Sequence, residues 1–312
     1  MRLYRNRLPE KDPATSFVAT LGNFDGLHIG HQHLIAELKK EAAKNNAKSM
    51  LISFYPHPQL KLGRIKDFNY LTNLRQKVRI LRENGLDLFV LLHFTERLSK
   101  LSAREFIENI LFSRLGVTAL ILGPDARMGH KREADITAIR NITIEHGKNL
   151  RIVPFLELAG KPVSSRRIRE LVLSGDLELA AKLLGRPYCV GGRIRRGDAR
   201  GSTLGFPTAN IHYLSQALPP NGVYISTTVL DGKSYQSVTN IGTRPTFDGS
   251  NKTVEVHILN LDNSNELYGK YVDNNLIRKL REEKKFQSVE QLKRQISIDV
   301  EKARGFFNEP NE

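Results

Sequence analysis

Two histidines mark the stretch of this sequence that is best suited to chemistry, GNFDGLHIGH at residues 22–31. The apolar run from Phe17 to Leu21 predicts a buried strand before it, and helical periodicity from His31 to Asn45 predicts a helix after it. The free backbone amides at such a strand-to-helix junction favour an anion, above all a phosphate. His28 and His31 can donate hydrogen bonds to ATP phosphates and stabilise charge as pyrophosphate leaves. Three glycines of the motif let the backbone approach a nucleotide closely: Gly22, Gly26 and Gly30.

Two other interpretations of these histidines stay open. His28 and His31 are three residues apart and His33 follows, so a zinc site deserves consideration, although no Cys, Asp or Glu cluster accompanies them at ligand spacing. The other alternative is a histidine that only caps its own helix.

Further polar residues follow the predicted strands. VSSRRIR at 163–169 begins a helical stretch in which Ser164 and Ser165 can cap amides or bind phosphate oxygens. Arg169 offers a planar fork for a triphosphate, or is simply a solvated charge. His57 lies in a loop held by prolines and could be a plain turn residue. Asp125 follows the fourth predicted strand, where it could contact a nucleotide or cap a helix.

The second half of the chain carries a separate set of candidates. Thr208 and Asn210 are two residues apart, so on a strand both would face one side and offer oxygens to Mg²⁺. Glu255 should point to the opposite strand face from its valine neighbours, where a solvent-facing glutamate is the plain alternative. A glycine and arginine segment is suited to polyphosphate or to a series of β-turns: Gly197, Gly201 and Gly205, with Arg195, Arg196 and Arg200.

Two different spacing patterns of apolar residues predict the strands and helices that position these side chains. From Phe17 to about Leu184, apolar strand-like runs alternate with amphipathic helical stretches, which predicts a parallel sheet with helices on both faces. After GRPY at 185–188, short strands punctuated by glycine predict a small antiparallel barrel, with a tight hairpin turn at Asp231 and Gly232. A helix from Ser288 to Ala303 should pack on that barrel.

Composition sets the limits of these interpretations. The 312 residues are 40% hydrophobic, which predicts a folded protein of about two domains. Lys and Arg outnumber Asp and Glu by 48 to 33, and the resulting charge of +15 suits polyanions, anionic membranes and phosphorylated ligands equally. Cys189, the single cysteine, excludes an internal disulfide and a cysteine-based metal site. With no apolar run long enough for export or a membrane span, we expect a cytoplasmic protein.

The motifs occur in an order that resembles one enzyme family. GNFDGLHIGH is similar to the H-x-G-H signature of the nucleotidylyltransferase superfamily, in the form found in prokaryotic bifunctional riboflavin kinase/FAD synthetases. PHP at 56–58, LGPD at 122–125 and VSSRRIR follow in family order. The second half continues the resemblance with further motifs: GDARGSTLGFPTAN, NIGTRPTF, TVEVHIL and LREEKKF.

This resemblance implies the fold and the reactions. It implies a Rossmann-like nucleotidylyltransferase domain over residues 1–185, an α/β fold with a parallel sheet, and a riboflavin kinase β-barrel with a terminal helix over residues 186–312. The barrel would phosphorylate riboflavin with ATP, and the first domain would then adenylylate FMN to FAD with a second ATP. The substrates would be riboflavin, FMN and ATP, with neither nucleic acid nor membrane as a partner, and the oligomeric state is left open.

The resemblance also assigns residues. It implies that Glu255 is the base for the riboflavin 5′-hydroxyl and that the PTAN segment holds Mg²⁺ with ATP through Thr208 and Asn210. Arg281, which could otherwise belong to a charged helix end, would lie near the flavin ring. The remaining assignments divide by ligand: Asn23, Phe24, Ser164, Ser165 and Arg169 to ATP, and His57 and Asp125 to the flavin nucleotide.

Two rival interpretations are kept. One is an enzyme in which a single module is active, the riboflavin kinase rather than the adenylyltransferase. The other is a basic nucleic-acid-binding protein, against which stand the absence of tryptophan and of aromatic residues interleaved with basic ones.

The sequence departs from the family at the predicted adenylyltransferase edge. The family usually shows D-F-x-F-G after LG-x-D, whereas this chain has Ala126 and Met128. Ala134 stands in place of a glycine and Arg166 in place of a threonine. We therefore predict a working kinase module and an adenylyltransferase module that is weaker for FMN or adjusted to a somewhat different flavin.

Overall fold

The computed structural model describes residues 1–10, 12, 14–63, 65, 68–195, 205–246, 249–261 and 267–309. The chain divides into two compact units, the first formed by Met1–Asn69 and Leu74–Ser165 and the second by Tyr70–Asn73 and Arg166–Glu312. The segment Tyr70–Asn73 belongs to the second unit because its backbone is paired there. The Tyr70 N–H donates to the carbonyl of Ser215 (2.6 Å), and the Ala217 N–H donates to the carbonyl of Tyr70 (2.9 Å).

A six-stranded parallel sheet forms the first unit, as the alternating pattern predicts, in the order β1-β4-β3-β2-β5-β6. The unpredicted strand is β1, a short edge strand whose mostly exposed and charged residues give no apolar pattern. Strand β2 lies where the strand order reverses, and this is the position at which open parallel sheets form a ligand crevice. The strands are β1 (Arg2–Arg5), β2 (Phe17–Leu21), β3 (Lys48–Tyr55), β4 (Leu88–His93), β5 (Val117–Leu122) and β6 (Asn149–Ile152).

Helices cover both faces of this sheet. Successive strand residues point to opposite faces, so the sheet contributes to two separate apolar clusters. One cluster includes Leu38 of α1 and Ile80 of α3, and the other includes Ile107 and Ile139 from the opposite side. The helices are α1 (Ile29–Lys44), α2 (Pro58–Lys61), α3 (Leu74–Glu83), α4 (Glu96–Ser99), α5 (Ala103–Glu105), which continues into a π-helical stretch (Phe106–Arg114), and α6 (Ile136–Glu145); a 3-10 turn (His130–Arg132) and a small hairpin of β7 (Glu157–Leu158) and β8 (Lys161–Pro162) complete the unit.

The second unit contains a closed antiparallel barrel in the order β10-β13-β12-β11-β14-β9, which confirms the predicted architecture. Asp231 (φ +47°) and Gly232 (φ +82°) form the predicted two-residue turn between β11 and β12. The elements are α7 (Ser165–Ser174), which begins at the last residue of the first unit, α8 (Leu177–Leu184), β9 (Tyr188–Arg195), β10 (Ala209–His212), β11 (Gly222–Leu230), β12 (Lys233–Thr246), β13 (Gly249–Ile258), β14 (Tyr271–Arg281) and α9 (Val289–Asn308).

A hydrogen-bonded polar cluster fills part of the barrel interior. The hydroxyl of Ser226 lies 2.8 Å from that of Ser237 and 2.7 Å from that of Thr239. Thr228 donates to Oδ1 of Asn274 (3.1 Å), and Nδ2 of Asn274 donates to Thr239 (2.9 Å). All five side chains are fully buried, and these mutual bonds replace the water they lose.

Helix α9 covers part of the outer barrel face. Ser288 caps it by accepting a hydrogen bond from the Gln291 N–H (3.2 Å), and the helix continues five residues beyond the predicted end at Ala303. The LREEKKF segment is not a helix end, because Arg281 ends β14 and residues 282–286 follow without regular structure. The apolar cluster under α9 includes Val223, Ile225, Val238, Leu259, Val300 and Ala303.

Among the described residues, no helix is both long enough and apolar enough to cross a membrane.

Candidate active sites

The loop after β2 and the start of α1 line a cavity of about 540 Å³ in the first unit. His28 is the N-cap of α1, and its Nδ1 accepts a hydrogen bond from the His31 N–H (3.2 Å). The two imidazole rings stack with their centroids 3.7 Å apart, and the ring of Phe24 lies 4.9 Å from that of His31. His28 therefore caps its own helix, and both histidines also line the cavity.

Burial decides the protonation of His31. It lowers the pKa of His31 well below the ordinary value, and the positive charges of His28 and Lys77 lower it further. Nδ1 of His31 is buried and has no hydrogen-bond partner among the described residues. When the ring of His28 is neutral, it carries its proton on Nε2, because Nδ1 accepts the hydrogen bond from the His31 N–H. His31 is thus a neutral imidazole, which can donate a hydrogen bond without carrying a full charge.

The loop that carries these histidines has an uncommon backbone. Phe24 (φ +47°) and Leu27 (φ +42°) are left-handed although they have side chains, and Gly26 (φ +81°) lies between them. A Cβ at Gly30 would lie 3.2 Å from Nδ1 of His28, so the absence of a side chain there makes room for the ring. Gly22 also lines the cavity. In the described ranges, no group of three His, Cys, Asp or Glu is placed to hold a metal ion, so the zinc alternative finds no ligand set there.

His57 caps a helix and also lines the cavity. Its Nδ1 caps α2 by accepting from the Gln59 N–H (3.3 Å), and its ring stacks on Phe68 at 4.1 Å. Its Nε2 lies 2.8 Å from Nδ2 of Asn23, which also lines the cavity. The pair joins the loop after β3 to the loop after β2.

Ser164 and Ser165 approach the same cavity from the start of α7. The hydroxyl of Ser165 donates to the backbone carbonyl of Asp25 (2.8 Å), which fixes the serine against the loop. Asp125 lies exposed at the cavity rim. Arg169 lies further along α7, in the second unit, and its contact with ATP stays a prediction.

Several cavity residues were not identified from the sequence. Arg127, Lys131 and Arg132 place positive charge on the rim, and the LGPD motif that precedes them was the available signal. Lys77 of α3 lies buried beneath the loop, but in the sequence it is one of several basic residues on a helix and gives no signal. Four phenylalanines contribute to the walls: Phe54, Phe94, Phe106 and Phe155.

The departures from the family pattern lie partly in this cavity. Ala126 and Met128 both line it and pack against the apolar cluster of the sheet. Met128 and Ala134 exchange two backbone hydrogen bonds (3.0 and 3.1 Å). Arg166 is 88% exposed and forms an ion pair with Glu170 on the same helix.

A second cavity, of about 470 Å³, lies between the outer barrel face and α9. Asn210, Glu255 and Asn240 are neighbours across three strands, because Glu255 is paired in register with both asparagines. Thr208 lies just before β10 and lines the same cavity. Asn240 was not identified from the sequence, although it is the first residue of the NIGTRPTF motif.

Glu255 occupies the strand face that the sequence predicts. Its neighbours Val254 and Val256 are each only 1% exposed on the opposite face, whereas Glu255 is half-buried at the cavity. Glu255 therefore faces the cavity and not the barrel interior, and its role as a base stays a prediction.

Arg281 lines this cavity while forming an ion pair. Its Nε lies 2.9 and 3.0 Å from the two carboxylate oxygens of Asp299, and its Nη2 donates to Oδ2 at 2.7 Å. Asp299 belongs to α9, so the pair joins the end of β14 to that helix. The family resemblance predicted that Arg281 lies near the flavin, but it did not predict Asp299 as its partner.

Only the two ends of the glycine and arginine segment lie within the described residues. Gly205, with φ +83°, is described, and Arg195 ends β9. Gly197 and Gly201 lie outside the described residues, as do Arg196 and Arg200.

Comparisons with known proteins match both units. A family model described as FAD synthetase matches residues 10–167, and one described as riboflavin kinase matches residues 184–307. A bifunctional riboflavin kinase/FMN adenylyltransferase of Escherichia coli (strain K12) is 38% identical over 296 residues, covering 95% of this chain and 94% of that protein. A protein of the same name from Buchnera aphidicola subsp. Schizaphis graminum is 36% identical over 314 residues, covering 99% of each chain.

A solved structure has the same fold over almost the whole chain. It is described as a macrolide-efflux protein from Streptococcus pneumoniae and matches with a TM-score of 0.85 and 29% sequence identity. The match covers 97% of this chain and 98% of that structure.

Proposed function

This chain belongs to the family of bifunctional riboflavin kinase/FMN adenylyltransferases and makes both FMN and FAD, and we propose which cavity serves each reaction. The cavity of the first unit adenylylates FMN, and the cavity of the second unit phosphorylates riboflavin. The observation that carries this assignment is the position of the two family matches, since each contains the motif residues that line one cavity. We assign residues 1–185 to the first activity and residues 186–312 to the second.

In the kinase cavity, Glu255 orients and deprotonates the riboflavin 5′-hydroxyl. The hydroxyl oxygen then bonds to the γ-phosphorus of ATP as the bond to the ADP oxygen breaks. The half-buried position of Glu255 between Asn210 and Asn240 supports this role. The two asparagines can hold the reacting groups beside the carboxylate by hydrogen bonds.

Thr208 and Asn210 are the residues that would hold Mg²⁺ with ATP. Hydroxyl and amide oxygens together with phosphate oxygens and water form the donor set that Mg²⁺ prefers, and both side chains line the cavity that contains Glu255. When bound, the ion neutralises charge on the transferring phosphoryl group.

Arg281 presents the flat face of its guanidinium rather than its hydrogen-bonding edge to the flavin. The edge is engaged by Asp299, which fixes the plane of the group. A fixed guanidinium plane can stack on an aromatic ring, so this geometry supports placing the isoalloxazine near Arg281.

In the adenylylation cavity, an oxygen of the FMN phosphate attacks the α-phosphorus of ATP. The bond from that phosphorus to the β-phosphate oxygen breaks, and pyrophosphate leaves, so no protein nucleophile is required. His28, His31, Ser164 and Arg169 hold the triphosphate and stabilise the leaving group. Asn23, Phe24 and Ser165 shape the ATP site, and His57 and Asp125 contact the flavin nucleotide.

A product assay tests the overall assignment. Purified protein is incubated with riboflavin, ATP and Mg²⁺, and FMN and FAD are separated by chromatography over time. We expect FMN first and FAD after it. Formation of FMN alone would favour an enzyme with one active module. Single-stranded nucleic acid binding that falls steeply with salt, in protein unable to use riboflavin, would favour the nucleic-acid-binding alternative.

Paired variants test the division between the cavities. Glu255→Gln should abolish riboflavin phosphorylation and leave the conversion of supplied FMN to FAD nearly intact. His28→Ala and His31→Ala should do the reverse. Glu301→Gln is the matched control, since Glu301 is 71% exposed on α9 and should affect neither reaction. If Glu255→Gln lowered both activities in a folded chain, the assignment would be wrong.

A further inference from the structure

The buried cation Lys77 lies directly beneath the histidine loop. Its side chain belongs to α3, the residue is 8% exposed, and its Nζ donates to the backbone carbonyl of Asn23 at 2.6 Å. A buried ammonium group loses its hydration and is therefore retained only where other groups compensate for the loss. Lys77 has such compensation in the Asn23 carbonyl and in the nearby Asp25 carboxylate.

The loop above Lys77 depends on its anchors. Phe24 and Leu27 are left-handed residues with side chains, and such backbone persists only where the surroundings hold it in place. Each of three loop carbonyls accepts a hydrogen bond from a neighbouring side chain. These bonds are Lys77 and Ser53 to Asn23 O (2.6 and 3.2 Å), Ser165 to Asp25 O (2.8 Å), and Gln32 to Leu27 O (2.9 Å).

Lys77 is the one charged side chain among these anchors. Its charge acts on His31, which lines the cavity. Burial lowers the pKa of Lys77, while the Asp25 carboxylate opposes that change and favours the ammonium form. The same positive charge, after burial and together with His28, lowers the pKa of His31. Lys77 is therefore coupled both to the backbone of the loop and to a histidine that faces the cavity.

We propose that Lys77 is a positioning residue for adenylyl transfer: it fixes the Asn23 carbonyl and thereby the loop that presents His28 and His31, and it adds a fixed positive charge beneath the departing pyrophosphate. This inference rests on the assignment of adenylylation to the first cavity. It explains why a charged side chain is buried at a position where an uncharged side chain would lose less free energy of hydration.

Three variants test the proposal in the full-length chain. Lys77→Met removes the charge at similar size, Lys77→Arg keeps the charge, and Arg82→Met removes an exposed cation from the same helix. We expect Lys77→Met to lower kcat for FMN adenylylation on the order of 100-fold, with a smaller change in KM, because a misplaced loop affects the transition state most. Lys77→Arg should recover part of the rate, and Arg82→Met should match the wild type. Riboflavin phosphorylation by the same molecules should stay unchanged throughout.

The titration of His31 separates positioning from packing. The charged groups that act on His31 are His28 on its own helix and Lys77 from α3, which itself interacts with Asp25. The His31 ring signal in NMR should therefore titrate at higher pH in Lys77→Met than in the wild type, and Lys77→Arg should restore the wild-type value. A purely structural lysine would not produce this reversal.

Several results would overturn the inference. A wild-type rate of FAD synthesis in Lys77→Met would do so, as would a parallel loss of kinase activity that shows general misfolding. Loss of FAD synthesis with an unchanged His31 titration would reduce Lys77 to a packing role. If the wild-type chain itself failed to convert FMN to FAD, the assignment of the first cavity would fall instead, so the two failures are distinguishable.

Discussion

At the scale of single residues, burial sets the chemistry of the adenylylation cavity. His31 is held neutral inside the protein, whereas the rim carries Arg127, Lys131 and Arg132. A neutral imidazole can supply a directed hydrogen bond, and the rim cations can supply positive charge for a phosphate group. This division leads to predictions for His31 and for two wall residues.

Because folding lowers the pKa of His31, the first unit should lose stability as the pH falls below about 6.5. Above this pH the ring is neutral in both states. Below it, the unfolded chain takes up a proton that the folded chain does not bind until its own lower pKa is reached. The free energy of unfolding should therefore fall by up to about 1.4 kcal/mol for each pH unit from this residue. Hydrogen exchange of the amides in β2 to β4, at about pH 7.5 and about pH 5.5, measures the change.

Two variants control this experiment. His31→Gln should show a smaller loss of stability with acid, because the titrating group is gone. His33→Gln, at an exposed position on the same helix, should keep the wild-type pH dependence. An unaltered pH dependence in His31→Gln would mean that another group is responsible.

Ala126 and Met128 should limit the affinity for FMN. Both line the adenylylation cavity, where the family pattern has aromatic residues. Ala126→Phe combined with Met128→Phe should lower the apparent KM for FMN roughly tenfold, because two aromatic contacts can each add about 0.7 kcal/mol to binding of the flavin. Ile144→Phe, at a position on α6 that is 62% exposed, is the control and should change nothing. No gain in the double variant, with efficient native FAD synthesis, would show that these departures are compensated elsewhere.

At the scale of elements, the kinase cavity depends on how α9 is fixed to the barrel. The apolar cluster under α9 provides contact area, and the Arg281–Asp299 pair ties the helix to the end of β14. Gln295 donates a further hydrogen bond to Asp299 (3.0 Å) from one turn earlier on α9. The pair is well buried, with side-chain exposures of 16% and 4%.

Removing one partner of this pair should therefore be costly. Asp299→Asn should destabilise the second unit by about 3 kcal/mol, because it leaves a buried guanidinium without its counter-charge. Riboflavin phosphorylation should fall because α9 and Arg281 form one wall of the cavity, whereas FMN adenylylation should persist. Urea unfolding and both activity assays measure these effects.

An exposed pair on the same helix provides the comparison. Glu301→Gln breaks the surface pair with Arg304 and should cost less than about 1 kcal/mol. Equal destabilisation by Asp299→Asn and Glu301→Gln would contradict the view that burial makes the Arg281–Asp299 pair important.

For the molecule as a whole, the residues proposed for each reaction lie within one unit. The exception is Arg169, which is proposed for adenylylation but belongs to the second unit. The intermediate FMN is a small molecule that can leave one chain and bind to another. An equimolar mixture of Glu255→Gln and His28→Ala should therefore convert riboflavin to FAD after a lag, although neither variant does so efficiently alone. Chromatography of FMN and FAD over time measures this recovery. No FAD in the mixture, with each remaining activity intact, would show that FMN is retained on the chain that makes it.

The features that depend on near neighbours in the chain were predictable from the sequence. Periodicity of two and of 3.6 residues predicted the parallel sheet with its helices and the later change to an antiparallel barrel. The spacing in GNFDGLHIGH placed His28 and His31 at a helix start, and Asp231 and Gly232 marked a tight turn. These predictions succeeded because backbone preferences and side-chain alternation act over only a few residues.

Contacts between residues that are distant in the sequence were not predictable in this way and became apparent only in the folded chain. Lys77 contacts Asn23 across 54 positions of sequence, and Asp299 was not identified as the partner of Arg281. Strand β14 escaped prediction because Asn274 faces a polar barrel interior and breaks the apolar alternation on which strand prediction depends. The physical reason is the same in each case: these contacts depend on strand order and helix packing, and the local sequence carries no record of either.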